Sequence, residues 1–237
     1  MIVGLLHPGE MGASVGRALQ SNRHEVLWAS EGRSPSTRER AQTFRDAGTV
    51  EALADEAELI LSICPPHAAL DVARAARRFK GVYVDANAIS PMRAKEIAAI
   101  HPRFVDGGII GGPPDEPGTT LYLSGSGAAS VAVLFVGTNL EPRVVADASA
   151  MKMAYAAWSK GSAAMLLAIR DVARHFGVED EWELAAPELA KRLPRAERSA
   201  VTKGWRWEGE MEEIADTFAA AGQPDGFHRA AARVFRA

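Results

Sequence analysis

A single cysteine, Cys64, is all the thiol chemistry in this chain of 237 residues. One cysteine excludes an internal disulfide framework and any metal site built from several thiolates. Charge is nearly balanced, at a formal net value of -3. That balance excludes the broad basic face of a nucleic-acid binder and a polybasic membrane anchor, while leaving room for a local patch that holds a phosphate. No stretch approaches the roughly 20 apolar residues of a membrane span, and the first residues lack the basic-then-apolar order of a secretory signal. The six histidines, His7, His24, His67, His101, His175 and His228, are scattered, with no pair at metal-ligand spacing. No G-x-S-x-G elbow marks a serine hydrolase. These absences lead to the expectation of a cytoplasmic protein that acts on a small molecule, with no metal, nucleic-acid or membrane partner.

What the chain does have is alternation. Up to residue 125, short runs rich in Val, Ile and Leu (MIVGLL, EVLWAS, AELILSIC, GVYVDAN, RFVDGGII and TTLYLSG) read as strands. Between them SVGRALQS, STRERAQTFRDAG, HAALDVARAARRF and PMRAKEIAAI carry apolar residues at helical spacing. Strand alternating with helix predicts a doubly wound, mainly parallel sheet of the Rossmann kind. Near residue 146 the pattern changes and no further strand is legible. Residues 148–176 predict one long helix, apolar on most sides and so buried on several, with Gly177 as its C-cap. Helices follow in DEWELAAPELAKRL, TKGWRWEGEMEEIADTFAAAG and GFHRAAARVFRA. The expected α/β architecture is therefore a Rossmann domain over 1–145 and an all-helical C-terminal domain over 146–237.

The first turn, GLLHPGEMG over residues 4–12, is a near match to the dinucleotide fingerprint G-x-G-x-x-G. Gly9 and Gly12 fill the places of the glycine that lets backbone approach a pyrophosphate and the glycine that lets helix pack on strand. His7 and Pro8 replace the first glycine and its neighbour. Proline fixes its own φ and steers the preceding residue toward extended backbone, so His7 is expected to be extended. On this reading His7, Pro8, Gly9, Glu10, Met11 and Gly12 surround a pyrophosphate at a helix amino end.

The end of the second strand selects the cofactor. Arg33, Ser34 and Arg38, with Ser30 nearby, offer charge-assisted hydrogen bonds to a phosphate, whereas Glu31 would repel one. NADP(H) is favoured, with NAD(H) as the alternative. Asn87 ends another strand, where open α/β sheets place ligand contacts, and its amide can both donate and accept.

Four later segments strengthen the match: Cys64-Pro65-Pro66, Asp85-Ala86-Asn87-Ala88-Ile89-Ser90-Pro91, Asp106-Gly107-Gly108-Ile109-Ile110-Gly111-Gly112, and Lys152 early in the long helix. In order and spacing they resemble the 3-hydroxyacid dehydrogenase and 6-phosphogluconate dehydrogenase superfamily, close to its imine reductase branch. The resemblance implies a nicotinamide cofactor, with Cys64 and Pro65 in a loop beside the nicotinamide ribose. It implies that Gly111 and Gly112 bind substrate and that Lys152 is the catalytic lysine. Tyr155 shares a helix face with Lys152 at i+3 and is a second candidate for the substrate oxygen. The resemblance also implies a homodimer joined through the helical domain, which Trp158, Trp182, Trp205 and Trp207 would suit. Lys160 reads as a solvated or interface lysine. Departures from the family pattern are Ile110, Asn87 and Ala88, where hydroxyl residues are usual, and Tyr155, where asparagine is.

The expected activity is hydride transfer between nicotinamide and a small hydroxyacid-like or carbonyl substrate. Two alternatives stay open: an NADPH-dependent imine reductase, and a non-catalytic nucleotide sensor or scaffold, the latter kept alive by Ile110 and Ala88. A methyltransferase using the glycine turn for S-adenosylmethionine is a third, disfavoured by the helical C-terminal part.

Overall fold

In a computed structural model that describes residues 1–236, the chain begins with β1 (Ile2–Leu6), α1 (Glu10–Ser21), β2 (Glu25–Trp28), α2 (Pro35–Arg40), β3 (Arg45–Asp46), α3 (Val50–Glu56) and β4 (Leu59–Ser62). It continues through α4 (Ala69–Ala75), β5 (Val82–Asp85), α5 (Pro91–Ile100), β6 (Phe104–Ile110), β7 (Thr119–Ser124), α6 (Ala128–Val133) and β8 (Leu140–Val144). All eight strands form one sheet in the order β3-β2-β1-β4-β5-β6-β7-β8. Strands β1 to β6 run parallel, β7 is antiparallel to β6, and β8 is parallel to β7. The order reverses between β1 and β4, the switch point at which open α/β sheets hold their ligands.

Side-chain alternation builds a core on each face of this sheet. Val3 and Leu5 of β1, Val26 and Trp28 of β2, Leu59 and Leu61 of β4 and Val84 of β5 join one apolar cluster. Leu6, Leu27, Ile60 and Tyr83, out of phase by one residue, join the other. A strand buried on both faces must be apolar at nearly every position, which is why these runs are legible in the sequence.

Two small elements depart from expectation. The predicted helix over STRERAQTFRDAG ends at Arg40, because Ala41 and Phe44 turn into the core and Arg45–Asp46 pairs with β2 as an extra edge strand. Helix α3, not anticipated, is capped by the Thr49 hydroxyl, which accepts from the Ala52 N–H. Its Leu53 fills the space a side chain at Gly4 would need.

The rest of the chain is helical: α7 (Ala148–His175), α8 (Glu179–Ala185), α9 (Pro187–Ala190), α10 (Leu193–Ala220) and α11 (Gly226–Arg236). Gly177 takes a left-handed φ of 69° just past α7, as a C-cap does. Pro187 cannot donate to the preceding turn, so DEWELAAPELAKRL is two short helices rather than one. The chain divides into compact units Met1–Lys152 and Met153–Ala237. Among the described residues no helix is long and apolar enough to cross a membrane.

Within the second unit, Trp207 meets Phe235 edge-on at 5.1 Å and joins α10 to α11. It is therefore packing, not a free interface aromatic. Lys160 is also not solvated. Its side chain is 13% exposed and its ammonium donates to Glu210 at 2.6 Å, with the Trp207 ring 5.8 Å away. By contrast α7 buries only one stripe, leaving Trp158 72% exposed, and on α10 Trp205 is 61% exposed.

Candidate functional site

The strand ends at one edge of the sheet carry the predicted site. After β1 the chain makes a tight corner: the Gly9 N–H donates to the His7 carbonyl at 2.7 Å, around Pro8. His7 is left-handed here, with φ 66°, not extended as its proline neighbour suggests. The reason lies in α1. A Cβ on Gly12 would stand 2.6 Å from the His7 carbonyl oxygen, so helix and corner are in direct backbone contact and fix each other. His7 thus adopts the conformation for which the fingerprint ordinarily uses glycine, and histidine is among the residues that tolerate it.

Gly9 is the N-cap of α1, and no side chain caps this helix. A Cβ on Gly9 would meet nothing within 4 Å. The first N–H groups of α1, among them those of Glu10, Met11 and Gly12, therefore stand beside open space with the positive end of the helix dipole behind them. That is the arrangement an anionic pyrophosphate requires.

Beside this corner two side-chain nitrogens lack a partner. The Nδ1 of His7 and the Nε of Arg33 are buried without a hydrogen-bond partner. Burial, and then the Arg33 charge, lower the His7 pKa from 6.5 to about 4. Burial likewise lowers that of Arg33, opposed by Cys64. A histidine held neutral in the fold but free to protonate when unfolded loses stability as pH falls from 6.5 through 4. The loss expected over that window is about 2–3 kcal/mol. Thermal melts between pH 7 and 4 check it: His7→Asn, which tolerates the same backbone, is expected to show a flatter decline than the parent.

The loop after β2 differs from the expected phosphate cup. Ser34 is spent as the N-cap of α2, accepting from the Thr37 N–H and bonding the Ser36 and Thr37 hydroxyls at 3.0 Å. Arg38 donates to the Ser30 carbonyl at 2.8 Å. Arg38 is exposed and keeps further N–H groups beyond that bond, while Arg33 keeps an Nε buried without a partner.

Asn87 is corrected more sharply. It is 2% exposed. Its amide hydrogens go to Ser62 Oγ at 3.2 Å and Asp85 Oδ2 at 2.9 Å, and its carbonyl oxygen accepts from the Cys64 N–H. With both donors used internally, Asn87 has none to offer a nicotinamide or substrate; it braces the Cys64-Pro65 loop instead. Burial, then Asp85, push the Cys64 thiol up to about 12, so it stays protonated near neutral pH.

At the end of β6, Gly111 has φ 130° and the Thr119 hydroxyl donates to the Gly112 carbonyl at 2.6 Å, holding the loop open at Gly112. Lys152 reaches the same strand, its ammonium donating to the Ile109 carbonyl at 2.7 Å. A Cβ on Gly108 would lie 2.8 Å from the Lys152 Cβ and 3.0 Å from the Ala148 carbonyl, so only glycine lets α7 sit this close. Tyr155, one turn farther along α7, is 47% exposed. The structure therefore brings together His7 to Gly12, Arg33, Cys64, Pro65, Gly111, Gly112 and Lys152 at one sheet edge. It turns Asn87 and Ser34 to structural work. Sequence reasoning missed Asp106, whose buried carboxylate receives the start of α7. Its signal was an acidic residue inside an otherwise apolar strand. Among the described residues no cluster of three or more His, Cys, Asp or Glu is placed to hold a metal.

Comparison with known proteins follows from this geometry. Residues 173–237 match the family described as Domain of unknown function (DUF1932). An uncharacterized 28.5 kDa protein of Methanothermus fervidus is 29% identical over 76% of this chain and 74% of its own length. A solved conserved protein of unknown function, reported as structurally similar to 3-hydroxyacid dehydrogenases, is 29% identical over 100% of this chain and 96% of that one, with a TM-score of 0.71. 3-Hydroxyisobutyrate dehydrogenase of Mycobacterium tuberculosis, 16% identical, has a TM-score of 0.71 over 99% of this chain and 92% of its own. A reductive aminase of Aspergillus terreus solved with NADPH and ethyl levulinate is 17% identical, with a TM-score of 0.61 over 99% and 92%. The fold is that of the 3-hydroxyacid dehydrogenases.

Proposed function

We propose that this chain, built on the fold of the 3-hydroxyacid dehydrogenases, is an NADP-preferring oxidoreductase that interconverts a hydroxyl and a carbonyl on a small substrate. One observation carries the reading: an uncapped helix amino end, open at Gly9, stands at the sheet's switch point. Its likeness to dehydrogenases and to an aminase solved with NADPH supports the cofactor class.

The residues present fit such a cofactor. The N–H groups at the start of α1 would hold the pyrophosphate, and Arg33 would turn its unspent nitrogen to the adenosine phosphate. The nicotinamide supplies or accepts hydride. Lys152 handles the proton, giving it to the developing alkoxide in reduction and accepting it, directly or through water, in oxidation. Gly111 and Gly112 offer backbone to the substrate, and Ile110 leaves the pocket wall apolar where a hydroxyl would favour an acidic group. Tyr155 is a secondary contact to the substrate oxygen.

Titration with NADPH, NADH and S-adenosylmethionine, followed by fluorescence, tests the reading. NADPH is expected to bind roughly tenfold more tightly than NADH, about 1.4 kcal/mol for one charge-assisted contact, and S-adenosylmethionine not at all. Failure of both nicotinamide nucleotides to bind sinks the proposal, and binding without turnover of hydroxyacids, ketones or imines leaves a nucleotide sensor. A homodimer through the helical part belongs to the same proposal, because Trp158, Trp205 and Val201 are too exposed for a monomer to leave wet without cost. Sedimentation at micromolar concentration is expected to give two copies; a monomer there overturns that part.

A further inference from the structure

The first N–H groups of an α-helix lack an intrahelical partner, and in α7 those of Ala148, Ser149 and Ala150 can be traced. Ala148 donates to Ser124 Oγ at 3.0 Å, and Ser149 to Asp106 Oδ2 at 2.8 Å. Ala150 donates to Asp147 Oδ1 at 2.7 Å, and the regular helical ladder begins with Met151 donating to the Asp147 carbonyl at 3.2 Å. Asp147 alone is the ordinary surface cap, from the residue just before the helix. Asp106 is something additional. It comes from β6, is 9% exposed, and also accepts from the Ser149 hydroxyl at 2.5 Å and the Ser124 hydroxyl at 3.0 Å. A buried carboxylate is costly to keep, and burial does raise its pKa against the pull of these bonds. The helix start already has a cap, so the carboxylate's distinct effect is to fix where that start sits against the strand.

We propose that Asp106 is a positioning residue for Lys152, setting the place of its ammonium through the first turn of α7. This rests on the reading above that Lys152 handles the proton. Strand and helix are tied at two points, Asp106 to Ser149 and Ile109 to Lys152, three residues on along each element. Between the ties Gly108 presses against Ala148 and Lys152 with no room for a side chain. Three helical residues rise about 4.5 Å, less than one turn, so the arm between tether and lysine is short and stiff. The hydrogen bonds to Asp106 come from Ser124 and Ser149. Asp106 acts by denying the helix start the ångström-scale slack that degrades catalytic alignment.

Asp106→Asn, Ser149→Ala and Lys152→Ala test this in the full-length protein. Asp106→Asn replaces one acceptor oxygen by a donor, and Ser149→Ala removes only the hydroxyl tie. Two readouts are taken beside the melting temperature. One is kcat against KM. The other is the rate at which acetic anhydride labels Lys152 at fixed pH, read by peptide mass spectrometry against Lys203 as internal standard. Expected for Asp106→Asn are a kcat lowered about tenfold to a hundredfold with KM nearly unchanged, and a relative labelling rate of Lys152 changed by about threefold or more. Ser149→Ala is expected to follow in the same direction to a smaller extent, and serves where Asp106→Asn does not fold. Lowered melting temperature with unchanged Lys152 labelling and kcat would overturn the proposal and leave a plain structural cap. The labelling needs no turnover, so it judges Asp106 even if Lys152→Ala proves active and the catalytic reading fails.

Discussion

Replacing Lys152 by alanine is expected to lower kcat by about 100- to 10,000-fold, the usual worth of a positioned general acid–base group, while leaving the affinity for NADPH unchanged. The two quantities separate because the lysine's tether and the nucleotide's anchoring points belong to different strands. The pyrophosphate would rest on the helix start after β1, whereas Lys152 is held by the Ile109 carbonyl at the end of β6. A substitution that empties the lysine's place leaves the corner at His7, Pro8 and Gly9 untouched. Steady-state kinetics with the best substrate found, alongside nucleotide titration, gives both numbers. Equal loss of nucleotide affinity and turnover would mean that Lys152 is a cofactor ligand. Retained reduction of cyclic imines would favour imine chemistry over hydroxyl chemistry.

Lys160→Met is expected to destabilise the protein by about 3–5 kcal/mol, because it removes the ammonium that donates to the buried carboxylate of Glu210. The pair is nearly dry, with side chains 13% and 8% exposed, so water cannot take the ammonium's part. For a chain of this size that corresponds to a fall in melting temperature of roughly 6–20 °C. The double variant Lys160→Met with Glu210→Leu is expected to recover part of the loss, since it removes both charges of this buried pair together. A single variant that melts within about 2 °C of the parent would show that the pair contributes little. The exposed network of Arg229 with Glu212, Asp216 and Asp225 has more bonds but is expected to matter less, being screened by solvent.

The contrast between these two lysines shows what a sequence discloses. Lys152 could be picked out because a glycine-rich strand and a long helix start fall in a recognisable order. Lys160 looked like any surface lysine, because its partner lies fifty residues away and no local pattern announces it. The sheet was legible for the opposite reason: a strand buried on both faces writes its burial into every residue. The short β3 and α3 left too few residues to make a period. At His7 the local rule pointed the wrong way, since the bias of a residue before proline is weaker than the backbone contact between Gly12 and the His7 carbonyl. The Ser34-Pro35 pair was readable as a helix start, cap followed by proline, and that reading competes directly with a phosphate contact. Asn87 was placed correctly at a strand end, but the count of its partners, which settles its work, exists only in three dimensions. Asp106 receives bonds from residues 18 and 43 positions away, a span that periodicity does not cover.

The imidazole–proline corner also bears on how tightly a ligand can be held. A glycine at position 7 would wander through many shapes in the free protein and surrender that freedom at the moment of capture. Here the ring of Pro8 and the abutting helix have already removed it during folding. The entropy is spent before any nucleotide arrives, so more of each contact made there survives as net affinity.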